Sequence, residues 1–170
     1  MDRRKFLVSA AVVSVVGFSV GKAVTAQADL SKLLSDLEAM HGKNVSSTGL
    51  WTASEVFQHC AASIQGSMQG YPVHKSAVFQ ATVGKAALTV FQAVGAMRHS
   101  LSEPIPGMPA FDAQLPFAQA LTQLIASLQA FIEFKGPLKP HFAYGELSHA
   151  DYALAHQLHI RNHLTEFVIG

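Results

Sequence analysis

Three histidines near the carboxyl end of the chain have the spacing of metal ligands on a helix. His156, His159 and His163 are separated by three and four positions, so a helix would place them near one face, with the β-carbons of His159 and His163 about 6 Å apart. Imidazoles at this spacing can bind one divalent ion together. Ile160, and not a glutamate, follows His159, so the general base of the His-Glu-x-x-His peptidases is absent. The segment therefore predicts metal ligands, but not a site of that peptidase type.

A third ligand has to come from another part of the chain, and His59 is the best placed histidine for that role. It lies among the apolar residues of the segment 56–64, on a helix face that we expect to be buried. The alternative interpretation is a core histidine that is hydrogen-bonded to a backbone carbonyl. A buried imidazole that faces two others would also satisfy its nitrogen by coordination, so His59, His159 and His163 are the candidate metal ligands.

The remaining residues that could join this site have simpler explanations. His156 is either a fourth ligand or a packed neighbour of the site, and we expect His141, in a proline-rich loop, to lie at the surface or else at the mouth of the site. Cys60 follows His59, so on a helix it points about 100° away and is expected to be a small buried side chain. Glu55 can cap a helix or accept a hydrogen bond from His59. Histidines at expected helix ends or in loops receive no role: His41, His74, His99 and His149.

Three neutral imidazoles would leave a divalent ion with an open position, as in catalytic sites. Such an ion can lower the pKa of a bound water or thiol towards neutrality. Nitrogen ligands suit zinc, nickel, copper or iron, and we expect zinc or nickel. This interpretation predicts a metal-dependent enzyme, a hydrolase or a thiol-dependent transferase, that acts on a small molecule by activating water or a small thiol. No acid–base carboxylate stands beside the histidines in the sequence, so a non-catalytic protein that binds a metal or ligand, or packs against a partner, is the alternative.

The elements that must position these histidines are predicted to be helices. Apolar residues recur at helical spacing, and no stretch alternates as a strand would. Thr52 and Ser148 can each cap a helix, since an acidic residue follows three positions later. Loops rich in proline and glycine interrupt the pattern at 103–109 and 139–145. The fold class is therefore all-α, a four-helix bundle with a short extra N-terminal helix; the predicted helices are 29–42, 52 to 66 or 70, 76–99, 115–134 and 148–167.

The first 28 residues have the three parts of a secretory signal peptide. Arg3-Arg4-Lys5 precedes an uncharged run from Val8 to about Gly21, and Ala26-Gln27-Ala28 ends the segment with small residues. The paired arginines resemble a twin-arginine export signal. An uncleaved anchor is the alternative, although the run is shorter than the about 20 residues of a spanning helix. We predict a signal peptide at 1–28, a domain at 29–170, and a protein exported to the periplasm or beyond with no membrane contact after cleavage.

Composition limits the partners of this chain. Its 170 residues are 49% apolar and 14% charged, which suits one domain with a packed core. Loss of residues 1–28 would change the net charge from +1 to −2, because it removes four basic residues and one acidic residue. No basic run remains, so nucleic acid is not an expected partner. Cys60 is the only cysteine, so no internal disulfide can form. The oligomeric state stays open, a dimer being one alternative.

Several short motifs together resemble the DinB/YfiT superfamily of four-helix bundles. They are Trp51-Thr52 at a helix start, Glu55 with His59, and His159-x-x-x-His163-Leu164 with Phe167. Further motifs are similar to one branch of unknown function: Phe79-Gln80-x-x-x-Gly84, Ile105-Pro106-Gly107 and His141-Phe142-x-x-Gly145-x-Leu147-Ser148. The resemblance covers residues 45–167. It implies a divalent ion held by His59, His159 and His163, and relatives that include thiol-dependent transferases and isomerases.

Overall fold

The computed structural model describes residues 29–170, and these residues are mostly helical. The predicted signal peptide at 1–28 lies outside the described residues. Helix α1 covers residues 29–38. Five further helices and a π-helical turn follow: α2 (Ala53–Gln69), α3 (Ala77–Phe79) continued by the π turn Gln80–Gly84 into α4 (Lys85–Val94), α5 (Phe117–Glu133) and α6 (His149–Leu164).

Two short strands close the fold, which the sequence did not predict. Strand β1 (Val45–Ser47) pairs antiparallel with β2 (Phe167–Ile169), with Ser46 opposite Val168. The expectation of no strand was therefore wrong, and so was the extension of the last helix to Phe167. Three residues are too few to show alternation, and each strand exists only because a distant segment satisfies its backbone. The pairing holds the end of α6 beside the segment that leads into α2.

Both predicted capping residues begin their helices as expected, Thr52 in a full capping box and Ser148 through its hydroxyl. Thr52 accepts a hydrogen bond from the Glu55 amide at 3.2 Å, and the Glu55 carboxylate accepts one from the Thr52 amide at 2.8 Å. Ser148 likewise accepts a hydrogen bond from the Asp151 amide at 3.1 Å. Each such cap stabilises its helix by about 1 kcal/mol. The caps determine where α2 and α6 start, and with that the faces on which the histidines of both helices lie.

The third predicted helix is shorter than the sequence suggested. It begins after Ser76, whose hydroxyl accepts a hydrogen bond from the Phe79 amide, but it ends at Val94 and not at His99. Gly95 adopts a left-handed conformation with φ 70° and donates its amide to the Phe91 carbonyl at 2.9 Å. This is a common way to end a helix, because glycine carries no β-carbon to clash. His99 therefore lies in the loop that follows.

The core lies mainly between α2 and α5, with α1 and α6 against it. Apolar side chains with no exposed surface include Leu33, Phe57, Leu124, Phe131 and Ile160. By contrast, Ala77–Val94 is long and apolar enough to cross a membrane by length and composition alone, and 11% of this segment is buried. Val78, Val90 and Val94 of this segment are exposed, and other residues of the segment border the site described below.

Candidate metal centre

Helices α2 and α6 bring three imidazoles together at one point. The Nε2 atoms of His59 and His159 are 3.1 Å apart, and those of His163 and His159 are 3.2 Å apart. All three candidate ligand atoms lie within 4.8 Å of one another. His59 and His163 are buried and His159 is partly buried. The three histidines singled out in the sequence therefore converge and could hold a metal ion.

This arrangement suits an ion better than it suits hydrogen bonds alone. Nitrogens bound to a tetrahedral zinc ion at about 2.0–2.1 Å lie roughly 3.4 Å from one another, close to the separations found here. A neutral imidazole carries one N–H and one lone pair. His159 Nε2 faces two other nitrogens, and as a single donor or acceptor it cannot pair well with both. A cation would use all three lone pairs at once.

The electrostatics of the cluster keep its imidazoles uncharged. Burial, and then the neighbouring His99, lowers the pKa of His59 from 6.5 to about 4. Burial, followed by His59 and His99, lowers the pKa of His163 to about 3. Burial is also the main cause that lowers the pKa of His159 well below 6.5, with His59 the next. At neutral pH the nitrogens therefore keep their lone pairs, as metal binding requires.

Aromatic side chains cover one side of the cluster. The Trp51 ring centroid lies 5.0 Å from that of His59 and 6.2 Å from that of His163, almost parallel to the latter. Phe111 packs edge-on against Trp51 at 4.9 Å. Glu55 bonds to the start of its own helix, so it acts as the cap and not as an acceptor for His59. No described residue is a hydrogen-bond partner for Nδ1 of His59 or His163.

A fourth histidine lies beside the cluster, and the sequence analysis assigned it no role. The His99 ring centroid is 4.9 Å from that of His159 and 5.2 Å from that of His163. Its Nδ1 donates to the Ser100 carbonyl at 2.6 Å, so the lone pair is on Nε2. Burial lowers the pKa of His99. Because a loop residue follows no periodic pattern, the sequence did not predict that His99 lies beside the cluster. The high number of histidines in the chain was the one available signal.

A cavity of about 340 Å³ opens beside the cluster. His59, His99 and His159 contribute to its wall, and His141 and His156 contribute elsewhere. Exposed Lys75 and Glu103 also line it. The rest is mainly apolar and includes Phe79, Val83, Phe91, Met97, Ile105 and Phe142. Its volume is at the lower end of the range for small-molecule sites, about 300–1,000 Å³.

The other two histidines of this cavity have different outcomes. His141 is buried, 8% exposed, so the preferred interpretation of a surface loop residue was wrong. His156 Nε2 lies 3.2 Å from the Ser67 hydroxyl, which itself donates to the Ile64 carbonyl at 2.6 Å. His156 therefore donates to Ser67, and it lies outside the group of three candidate ligands. It is a packed neighbour, the second of its two alternatives.

Fold and site together define a helical protein with three converging histidines beside an apolar cavity. The chain matches the family described as "Protein of unknown function (DUF1569)" over residues 24–169. Because the match spans most of the chain, the protein belongs to that family. No curated protein and no solved structure matches it.

Proposed function

We propose that this protein binds one divalent metal ion through His59, His159 and His163, with zinc or nickel as the ion. The observation that carries the proposal is the convergence of three Nε2 atoms from two helices. Burial supports it, because it holds the imidazoles neutral. We also propose that α2, α4, α5 and α6 form a four-helix bundle of the DinB type. A signal peptide at residues 1–28 is proposed to direct export of the protein.

The reaction that best suits this site is activation of water or a small thiol for attack on a small molecule. A divalent ion with an open position lowers the pKa of a bound water or thiol. Three neutral ligands leave the charge of the ion undiminished. Trp51 and Phe111 shield one side of the cluster, and the cavity lies beside it. His99 borders that cavity and its Nε2 carries a lone pair, so His99 is a candidate acceptor for the released proton.

A non-catalytic protein that binds a metal or small ligand is the second candidate. It is favoured by one observation: among the described residues, the group of converging ligands contains no carboxylate. An enzyme of this kind requires an exchangeable ligand on the ion, whereas a structural site would be closed to solvent. Azide added to the cobalt-substituted protein distinguishes the two, because it changes the visible spectrum only when it reaches an open position.

Elemental analysis of the purified protein tests the central proposal. We expect one zinc or nickel ion per chain after purification or reconstitution. His41→Asn is the matched control, because His41 is exposed and outside the cluster, and it should retain the ion. Wild-type protein that holds no stoichiometric ion under either condition would end the proposal.

Cell fractionation tests the export proposal separately. We expect the protein in the periplasmic fraction, with an N-terminus near residue 29. Replacing Arg3 and Arg4 with lysine should retain it in the cytoplasm, since paired arginines distinguish this export route. A wild-type chain that stays in the cytoplasm with its first 28 residues intact would refute export without affecting the metal proposal.

A further inference from the structure

Two sequence motifs that the metal site leaves unexplained pack against each other. The first, residues 79–84, contains the π turn, and the second is the loop that begins at His141. The Gln80 side-chain Nε2 donates to the Phe142 carbonyl at 3.1 Å and to the His141 carbonyl at 3.4 Å. π turns inside helices often occur at functional sites. Here the turn provides the surface that holds the loop.

Two glycines make this close packing possible. A β-carbon on Gly84 would collide with the Ala143 carbonyl oxygen, so only glycine lets the loop approach the turn. Gly145 has φ +74°, a conformation that favours glycine. It closes the loop with His141 through two backbone hydrogen bonds of 2.8 and 3.0 Å. The loop is therefore held at both of its ends and along one side.

This rigid loop gives His141 a defined tautomer. Its Nδ1 lies 3.1 Å from the Ala143 amide nitrogen and 3.2 Å from that of Tyr144. Backbone amides only donate, so Nδ1 must be the acceptor and the proton must be on Nε2. The ring stacks on Tyr144 at 4.3 Å and packs against Tyr71 at 5.2 Å. Tautomer and orientation are thus both determined by the protein.

The other nitrogen of His141 has no use within the described protein. No described residue forms a hydrogen bond with its Nε2, although the side chain is more than nine-tenths buried. His141 lines the same cavity as His59 and His159. Burial, and then His156 and His74, lowers the pKa of His141 to about 3, so it is an uncharged donor at neutral pH. The Nε2–H therefore remains free to donate a hydrogen bond to a ligand in the cavity.

We propose that the cavity binds a small, largely apolar molecule with a carbonyl oxygen, and that His141 Nε2–H donates a hydrogen bond to that oxygen. The cavity walls between the histidines are mainly apolar, which suits a ligand with an apolar body. A neutral imidazole N–H is suited to polarise a carbonyl group. Lys75, the cationic side chain among the described residues that line this cavity, is exposed, so this wall offers no buried positive charge to a carboxylate. The inference rests on the proposed function only in that the ion and the carbonyl would share one cavity.

Binding of two matched probes to the full chain tests this proposal. Acetophenone and ethylbenzene are similar in size, but only acetophenone has a carbonyl group; benzoate tests for a carboxylate. His141→Asn keeps an acceptor oxygen for the loop amides and removes the Nε2 donor. We expect this variant to weaken acetophenone binding about three- to tenfold, with ethylbenzene binding unchanged. His141→Gln, which keeps an N–H donor near Nε2, should recover part of the affinity for acetophenone.

Long-range ¹H–¹⁵N spectra of the histidine rings add a measurement on the wild type that needs no variant. We expect His141 as the Nε2–H tautomer, with a shift of Nε2 when acetophenone is added. The Nδ1–H tautomer, an equal loss of both probes in His141→Asn, or no binding of acetophenone by the wild type would overturn the proposal. Tighter binding of benzoate than of acetophenone would also overturn it. The metal content of the same samples shows whether the proposed metal site has failed as well, so failure of the carbonyl-binding proposal can be distinguished from failure of the metal proposal.

Discussion

The Nε2 atoms of His59 and His159 lie 3.1 Å apart, although one hundred positions separate the two residues in the chain. The contact depends on the packing of α2 against α6. A capping box starts α2 and the Ser148 hydroxyl caps α6, and pairing of β1 with β2 ties the end of α6 to the segment before α2. The candidate metal centre is therefore assembled by tertiary structure from two helices whose individual positions are locally encoded.

Removing a single cluster histidine should abolish tight metal binding. We expect His59→Asn and His163→Asn each to weaken the affinity for zinc by more than about 100-fold, since loss of an outer-shell partner alone costs about 10- to 100-fold. Competition with a chromophoric chelator measures this affinity. The exposed His41→Asn should bind as the wild type does. A variant that lacks His59 or His163 and keeps wild-type affinity would show that this residue is not a ligand.

His99 should behave differently from the three cluster histidines. His99 Nδ1 is bonded to the Ser100 carbonyl, and His99 is outside the group of converging ligands. We therefore expect His99→Gln to retain one ion per chain. After cobalt substitution, the visible spectrum of the His99→Gln variant at neutral pH should have the same band positions as that of the wild type. Metal loss comparable to that of His163→Asn would instead make His99 a fourth ligand.

Gly84→Ala should destabilise the protein and displace the loop. The added methyl group would collide with the Ala143 carbonyl oxygen, and overpacking of this kind costs about 1–3 kcal/mol. Urea denaturation measures the change in the free energy of unfolding. Ala81→Ser, at an exposed position of the same π turn, is the control and should change stability by less than about 0.5 kcal/mol. Wild-type stability of Gly84→Ala would mean that the loop does not pack there.

Acid should destabilise the metal-free protein well before its carboxylates titrate. Burial lowers the pKa of both His141 and His156 to about 3, whereas in the unfolded chain a histidine has a pKa near 6.5. Below pH 6.5 the unfolded state therefore binds protons that the folded state excludes, and stability falls as pH falls. Each such histidine contributes up to about 1.4 kcal/mol of loss per pH unit.

Urea midpoints between pH 6.5 and pH 5 measure this effect. The free energy of unfolding should fall across this interval, and less steeply for His156→Gln than for the wild type. The metal-free state matters, because a bound ion adds its own pH dependence. A free energy of unfolding that stays constant from pH 6.5 to pH 5 would contradict burial of these two histidines in neutral form.

Local order was largely predictable from the sequence, because helical periodicity and capping boxes depend on residues a few positions apart. The spacing of His159 and His163 on one helix is of this kind, as is the capping of α2 by Thr52. The helix end at Gly95 was missed because glycine permits the left-handed conformation without requiring it. Spacing alone could not identify the candidate ligand His59. It was predicted because its helix face was expected to be buried and because the motifs resemble those of a known superfamily.

Tertiary structure alone decided the remaining features of the site. The approach of His99 to His159, the burial of His141 and the pairing of β1 with β2 each join segments that are far apart in the chain. No local pattern encodes such contacts, because they depend on which faces meet when the helices pack. The amino-acid sequence determined the helices and the cluster residues they present; their packing determined which histidines meet and what cavity they line.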